Sequence, residues 1–600
     1  PAPAPVAMRS TPRPDRRDSL RDCLKWGASW RARDCVRTLC TAVLAVVLAT
    51  GAAGGAEPGF APMVTDSFAV FAIPSMPEPL YLVPMRDPVF GTWVLRIGGD
   101  SGASLAPVGD RWADVARHVY SKQQPWNANH TLLSLRNTGS TSSPLLLNGT
   151  TYMPVRGPCS GYDRWDYRWH PSLFHLNEQI NVNRTGTELM WYDVMNCNKT
   201  RSWSLPIVAD YGIGSGEGNV SADGRFVAIA NQHQMVVVDM DPRAPEAPAW
   251  PFIRMGPVYT FPPCSLDVSR PELGRIDNVS ISPSGLYIDV KYGGLAAAGA
   301  PACDTLCDMH RIFEVDTNLT IRPHLMGAAA LRCGSFATRT DGWIFPLKHA
   351  DLASDPFDGN EDVIIGGRAC PGSPLGHVVK VRLRDGQVTS LTDARNEAPY
   401  SHGSARNTRR PGWFYATFTR DPNYAGSRFW GETVALKIDG SGEVQRFAHY
   451  HSSQASYDAE AQAVPSPDGR RMLFASDWRD HCTSCGKLNT AKAYIVDARE
   501  APLAEVAGAG PASGLTFTLA ASTRASGNLV ASFTLAGGAS AVLELHDIAG
   551  RRLLRRDVAV LGPGPHDLEL DPSTATRSGV YFATLREGRT LRHARAVLLR

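Results

Sequence analysis

The sequence predicts an all-β protein, a seven-bladed β-propeller followed by a small Ig-like β-sandwich. Three observations lead there. Short apolar strands follow turn signals all along residues 57–500. Equivalent strands recur at roughly forty to seventy residues, the spacing of propeller blades that carry inserted loops. After residue 514 a second series of short strands begins, separated by Gly-rich turns.

Residues 1–56 read as an export segment. Arg31, Arg33 and Arg37 precede the apolar run 41–56, which ends in small residues, Gly54 and Ala56, that suit a signal peptidase. The mature chain is expected to begin near Glu57. The run is short and rich in Gly and Ala for a permanent span, and an uncleaved anchor is the alternative. Nine of the 12 cysteines follow it, an odd number, and in an exported chain they are expected to staple inserted loops, with Cys303–Cys307 and Cys482–Cys485 as the pairs near in sequence. A redox pair at Cys482 and Cys485, or zinc on these four cysteines, are the other readings. Seven Asn-x-Ser/Thr sequons, among them Asn219 and Asn278, mark polar loops.

Net charge is +3, with Lys and Arg spread along the chain and no basic face interleaved with aromatics. That excludes an electrostatic footprint for nucleic acid. The partners expected are a glycan or cell-envelope ligand and a secretion machinery, with the chain monomeric.

The propeller units run in order from 126–149 and 175–194, through 220–240, 279–316, 350–383 and 401–439, to 457–497. The last shows the plan best. In Ser466-Pro467-Asp468-Gly469, Pro467 presets φ, Asp468 can cap its own backbone and Gly469 accepts a positive φ. Residues 471–476 then alternate around Leu473 and Phe474, and 493–497 supply a second strand. The first strand of each blade lines the channel, so the residues just before it converge on one mouth. Glu217, Asp277, His349, His402, Glu460 and Gln462 are the polar residues expected there.

From "DPVFGTWVLRIGGD" (87–100) to about residue 500, blade order and local strings resemble oligogalacturonate lyase, a seven-bladed propeller that uses manganese to eliminate across uronic-acid linkages. The resemblance implies a metal-holding His at the head of the fifth blade, kept here as His349, and a Gln with a His-x-His pair at the head of the seventh. The chain departs there: Tyr457 stands where the Gln is expected, and Glu460 and Gln462 where the pair would be. Period-two spacing points both to one side of the strand, and their oxygens with His349 could hold Ca²⁺ or Mn²⁺. His402 or His349 is then the candidate base for the proton α to a carboxylate, and Arg406 the group that neutralises the acid. Glu217, Asp277 and His451 are candidate ligand contacts.

The lost His-x-His pair favours a propeller that binds a glycan or envelope ligand without turning it over. A metal-assisted uronate lyase in the same pocket is the alternative, and a purely structural adhesion module is a third reading that predicts no polar convergence.

Residues 501–514 are Ala-, Gly- and Pro-rich and read as a linker. In 515–600, "LHDIAGRRL" followed by "SGVYFATLREGRTLRHARAVLLR" resembles the Ig-like C-terminal sorting domains of bacterial type IX secretion and the related flagellar hook-capping Ig-like domain. That resemblance implies transport and surface attachment; an accessory sandwich that mediates contacts is the plainer reading.

Overall fold

The computed structural model describes residues 60–600 except 142, 164–165, 211, 215, 241–253, 262–274, 294–308, 326–341, 370–376, 394, 480–489, 500–515, 522–528, 536–539, 548–550, 562–563, 571–578, 589 and 599–600. The export segment, the linker, and Cys303, Cys307, Cys482 and Cys485 lie outside the described residues.

Among the described residues the regular elements are strands or single turns of 3₁₀ helix, and no helix there is long and apolar enough to cross a membrane. Antiparallel sheets follow one another along the chain, each built mostly from consecutive strands. One holds Asp166–Trp169, Glu178–Val182, Glu188–Asp193 and Asn198–Ser204; the next is centred on Phe226–Ala230 and Gln234–Asp239. Then come the sheets that begin with Arg275–Ile281, with Leu347–Asp355 and with Tyr400–Ser404.

The two ends of this series share one nine-stranded sheet. Trp93–Arg96 pairs antiparallel with Ala491–Asp497, Trp93 opposite Asp497 and Arg96 opposite Tyr494, and Ala491–Lys492 runs parallel to Val115–Ala116. An early strand completing the last sheet closes the ring and removes the exposed edges an open stack would leave. This is the architecture of a β-propeller.

The strands close because their side chains are apolar on both faces. Phe226–Ala230 and Gln234–Asp239 contribute Val227, Ile229, Val236 and Val238 to a cluster with Trp191 of the preceding sheet. Each such Val or Ile, fully buried, contributes about 1.5–3 kcal/mol. The 466–469 turn forms as its residues dictate: Ser466 Oγ donates to Asp468 Oδ1 at 2.6 Å, and Gly469 sits at φ 67. A Cβ at Gly469 would run into the Tyr415 hydroxyl, which donates to the Gly469 carbonyl, so glycine is required by space as well as by φ.

The C-terminal region forms two antiparallel sheets, Thr516–Ala521 with Leu529–Leu535 and Gly564–Leu570, and Arg552–Asp557 with Ala541–Asp547, Gly579–Glu587 and Thr590–Leu598. Their apolar faces share one core of Phe533, Leu543, Leu545, Tyr581 and Leu585 among others. Leu529–Leu535 alternates strictly between buried and half-buried positions, as expected of a strand with one face on a core. The strand Arg552–Asp557 is not legible in the sequence because its Arg-rich string hides the alternation.

Among the described cysteines the disulfide is Cys159–Cys197, 38 residues apart, a pairing not foreseen because no short spacing marks it. Asn219 and Asn278 are buried in the channel wall, 5 % and 2 % exposed, so these two sequons do not lie on polar loops.

Candidate functional site

The heads of the innermost strands meet at one end of the channel, and the chain is bent to make them do so. The pairing register slips between Ile276 and Asn278, between Lys348 and Asp351, and between Tyr400 and His402, in three successive sheets at the same level. Such bulges re-aim side chains. His349 adopts φ 45 and Gln462 φ 42, a region that costs a non-glycine residue about 1–3 kcal/mol and persists only where surroundings fix it.

The central contacts run through five side chains. Tyr120 Oη and His349 Nδ1 lie 2.7 Å apart. The His349 and His402 rings lie 4.1 Å apart between centroids, and the Tyr120 ring meets His402 edge-on at 5.6 Å. His402 Nε2 faces Glu460 Oε2 at 3.7 Å, and the same oxygen accepts from Gln462 Nε2 at 3.0 Å. The structure thus brings His349, His402, Glu460 and Gln462 together from three different sheets.

Arg117 holds the 457–462 segment in place. Fully buried, it donates to the carbonyl oxygens of Tyr457, Asp458 (2.7 Å) and Glu460 (3.2 Å) and to Gln462 Oε1. His118 Nε2 donates to the Gln462 carbonyl at 2.6 Å, while its Nδ1 is buried without a hydrogen-bond partner.

On the other flank Glu217 accepts from Lys122 Nζ and, at 3.0 Å, from Asn278 Nδ2, and Asp277 pairs with Lys291 at 2.7 Å. Lys122 and Lys291 therefore each have a carboxylate partner. The face left for a ligand is imidazole, phenol and the partly exposed Glu460 carboxylate.

The imidazoles are neutral at physiological pH. Burial first, then Lys291 and Lys122, lowers His349 to about 3; burial and the neighbouring His349 hold His402 well below its usual range. Burial and the charge of Glu217 hold the Tyr120 hydroxyl protonated. Burial would raise Glu217, but Lys122 and Lys291 outweigh it and bring its carboxyl to about 2.

These shifts fix how stability varies with acid. A histidine with a lowered folded pKa takes up protons more readily when unfolded, so stability falls as pH drops below about 6.5. Glu217, depressed in the fold, adds a further loss as pH falls from about 4.5 to 2. Urea midpoints are expected to fall from pH 7 to 5, and His349→Asn to flatten that slope; an unchanged slope in the variant contradicts the assignment.

Two candidates lie elsewhere. Arg406 is buried against Asp351, donating from Nε and Nη2 at 3.1 and 3.0 Å and to the Leu352 carbonyl at 3.0 Å, further along the channel. A guanidinium whose charge is already paired with Asp351 at this depth does not neutralise a substrate acid at the mouth. His451 follows the outermost strand of its sheet, Val444–His449, and stacks on Trp478 with centroids 4.5 Å apart.

The expected metal set fares no better. Gln462 Oε1 is occupied by the Arg117 guanidinium and His349 Nδ1 faces Tyr120. Among the described residues no group of three or more His, Cys, Asp or Glu side chains could hold a metal ion. A buried positive charge already sits on the oxygens of the 457–462 segment, so these residues do not fit a divalent ion.

Sequence reasoning passed over Arg117, His118, Tyr120 and Lys122, because the first blade lacks a turn signal before its inner strand. His118, Tyr120 and Lys122 follow the strand Val115–Arg117 in an irregular segment, where no strand periodicity marks them.

No protein-family profile matches the sequence, and no curated protein matches it. Among solved structures the chain is similar to an oligogalacturonate lyase in complex with manganese, at 14 % identity over 70 % of this chain and 97 % of that one, with a TM-score of 0.41. It is similar to the Myceliophteria thermophila Cps50 (Swd1) β-propeller domain at 11 % identity, covering 65 % and 99 %, TM-score 0.36. It is also similar to the Dos1 propeller at 9 % identity, covering 64 % and 94 %, TM-score 0.32.

Proposed function

We propose that this chain is an exported bacterial β-propeller that binds a glycan at the polar mouth of its channel, with residues 515–600 as an Ig-like domain for secretion or surface attachment. The shared nine-stranded sheet counts as the first and last of seven blades, because its members flank the ring closure. Export is supported by the N-terminal apolar run and by the Cys159–Cys197 disulfide, which suits an oxidising compartment.

The observation that carries the reading is the continuous contact of Tyr120, His349, His402 and Glu460. Neutral imidazole and phenol exchange hydrogen bonds with hydroxyls, and a carboxylate accepts from them. With Lys122 and Lys291 already paired to carboxylates, a neutral glycan suits the mouth better than an acidic one.

Calorimetric titration with neutral and uronic oligosaccharides tests this. Neutral oligosaccharides are expected to bind, and Glu460→Gln, which keeps shape and removes the charged acceptor, to weaken binding by about tenfold, the effect of losing one charge-assisted hydrogen bond of about 1.4 kcal/mol. Absence of binding to any glycan, or an undiminished affinity in the variant, rejects it.

A second reading, a uronate lyase, is favoured by the Tyr120–His349 pair: a neutral His whose Nε2 has no protein hydrogen bond, beside a phenol, can take and return a proton. No step of it passes through a metal here. Unsaturated-uronate absorbance on pectic fragments, with and without Mn²⁺ or Ca²⁺, decides; no signal at any metal concentration removes the lyase and leaves binding standing.

A further inference from the structure

The channel holds a second cavity whose chemistry differs from the mouth. In every innermost strand it lies later in the chain than the polar heads: 352–354 follow His349, 405–407 follow His402, 219–222 follow Glu217, and Pro467 follows Gln462. At roughly 3.3 Å per residue the offset places it a further stretch along the channel, past the polar cluster.

The cavity measures about 110 Å³. That is less than the roughly 150 Å³ that encloses a benzene-sized guest, so a ring enters with its far edge left in the opening. Trp126, Trp169 and Trp413 line it together with Ile281 and Leu352, and the exposed Ala222, Thr408 and Pro411 stand at its opening.

Its charged lining is silent. Arg168 is held by Asp166 and by the carbonyls of Gly218 and Ile213, and Arg406 by Asp351. The Trp126 and Trp169 indole N–H groups donate to the carbonyls of Gly149 and Pro125 at 3.1 and 2.9 Å. One polar atom stands out. Asn407, 3 % exposed, donates from Nδ2 to the carbonyls of Arg410 and Trp413, while its Oδ1 is buried without a hydrogen-bond partner. A buried acceptor left unpaired is costly, so a donor is the group it lacks.

We infer that this cavity is a second ligand site, for a neutral aromatic ring that carries one hydrogen-bond donor, of the indole or phenol class. A charged ligand finds no free counter-charge in the paired arginines. A sugar would bring several hydroxyls to a lining whose Gln124, Asn219 and Ser354 side chains already donate to backbone carbonyls, and leave most unpaired. An aromatic ring offers its faces to the tryptophans and a single N–H or O–H to Asn407 Oδ1.

Titration of the full chain with indole, toluene and glucose, read by calorimetry and by the rise in Tm, tests the assignment. Indole is expected to bind at one site per chain. Toluene, which fills the space without the donor, is expected to bind about fivefold more weakly, the equivalent of one hydrogen bond of about 1 kcal/mol. Glucose is expected not to compete.

Ala405→Phe and Ala353→Leu each fill the cavity from a different strand, and each is expected to weaken indole binding about tenfold or more; two positions guard against one variant failing to fold. A Gly-Trp-Gly peptide that outbinds indole identifies the occupant as a partner's side chain, and the reverse order identifies a small molecule. No binding of indole, unchanged binding in both folded variants, or tighter binding of glucose than of indole overturns the inference.

Discussion

Arg117→Ala is expected to lower stability by about 3–5 kcal/mol, the cost of breaking a buried charged network from one side. The guanidinium is fully buried and donates to three backbone carbonyls of the 457–460 turn and to Gln462 Oε1. Alanine leaves these acceptors without a donor in a place water does not reach. The turn they belong to carries Glu460 and Gln462, so glycan affinity at the mouth is expected to fall with stability.

Arg117→Lys separates charge from geometry. A lysine keeps the positive charge, but three donors on one nitrogen cannot span the directions a planar fork reaches. It is expected to recover part of the stability and little of the affinity. Urea unfolding and calorimetry on both variants check this, and a loss below about 1 kcal/mol for Arg117→Ala would show that the turn holds itself.

Arg446→Met is the other large expected effect, again about 3–5 kcal/mol. Arg446 and Glu432 are both fully buried, with Nε donating to Oε2 at 2.7 Å and Nη2 to Oε1. Arg446 also donates to the carbonyls of Asp66 and Ala69, at 3.1 and 2.7 Å, which ties the 64–69 segment to the outer strand Val444–His449. Methionine fills the space and strands the carboxylate.

Two results distinguish charge from packing. Glu432→Met with Arg446→Met is expected to restore most of the loss, because an apolar pair of similar volume replaces a buried ion pair at little cost. Burial already raises Glu432 to about 7 against the pull of Arg446, so the single variant's deficit relative to wild type is expected to shrink from pH 8 to pH 5 as the carboxyl protonates. A deficit independent of pH, or a double variant as unstable as the single, would place the effect in packing.

The mouth was legible where a blade announces itself. His349 and His402 sit at the heads of strands whose apolar runs are plain, and Glu460 and Gln462 stand just before the turn at 466–469. Their convergence follows from ring closure, which the repeat implied. Arg406 was misplaced because periodicity gives a residue's strand but not its depth, and four residues past His402 the chain has already left the mouth. His451 was misplaced because an inter-blade connection carries no repeat signal.

The strands, the repeat and the polar character of the strand heads can be read along the chain, since turn chemistry and period-two alternation are local properties. Which of these polar groups are already satisfied depends on contacts between distant segments: Arg117 on Gln462, Lys122 on Glu217 and Asp351 on Arg406 join residues between about fifty and three hundred and fifty positions apart. Pairings of that range depend on how the sheets close into a ring, and they leave a mouth of neutral imidazole and phenol beside the Glu460 carboxylate.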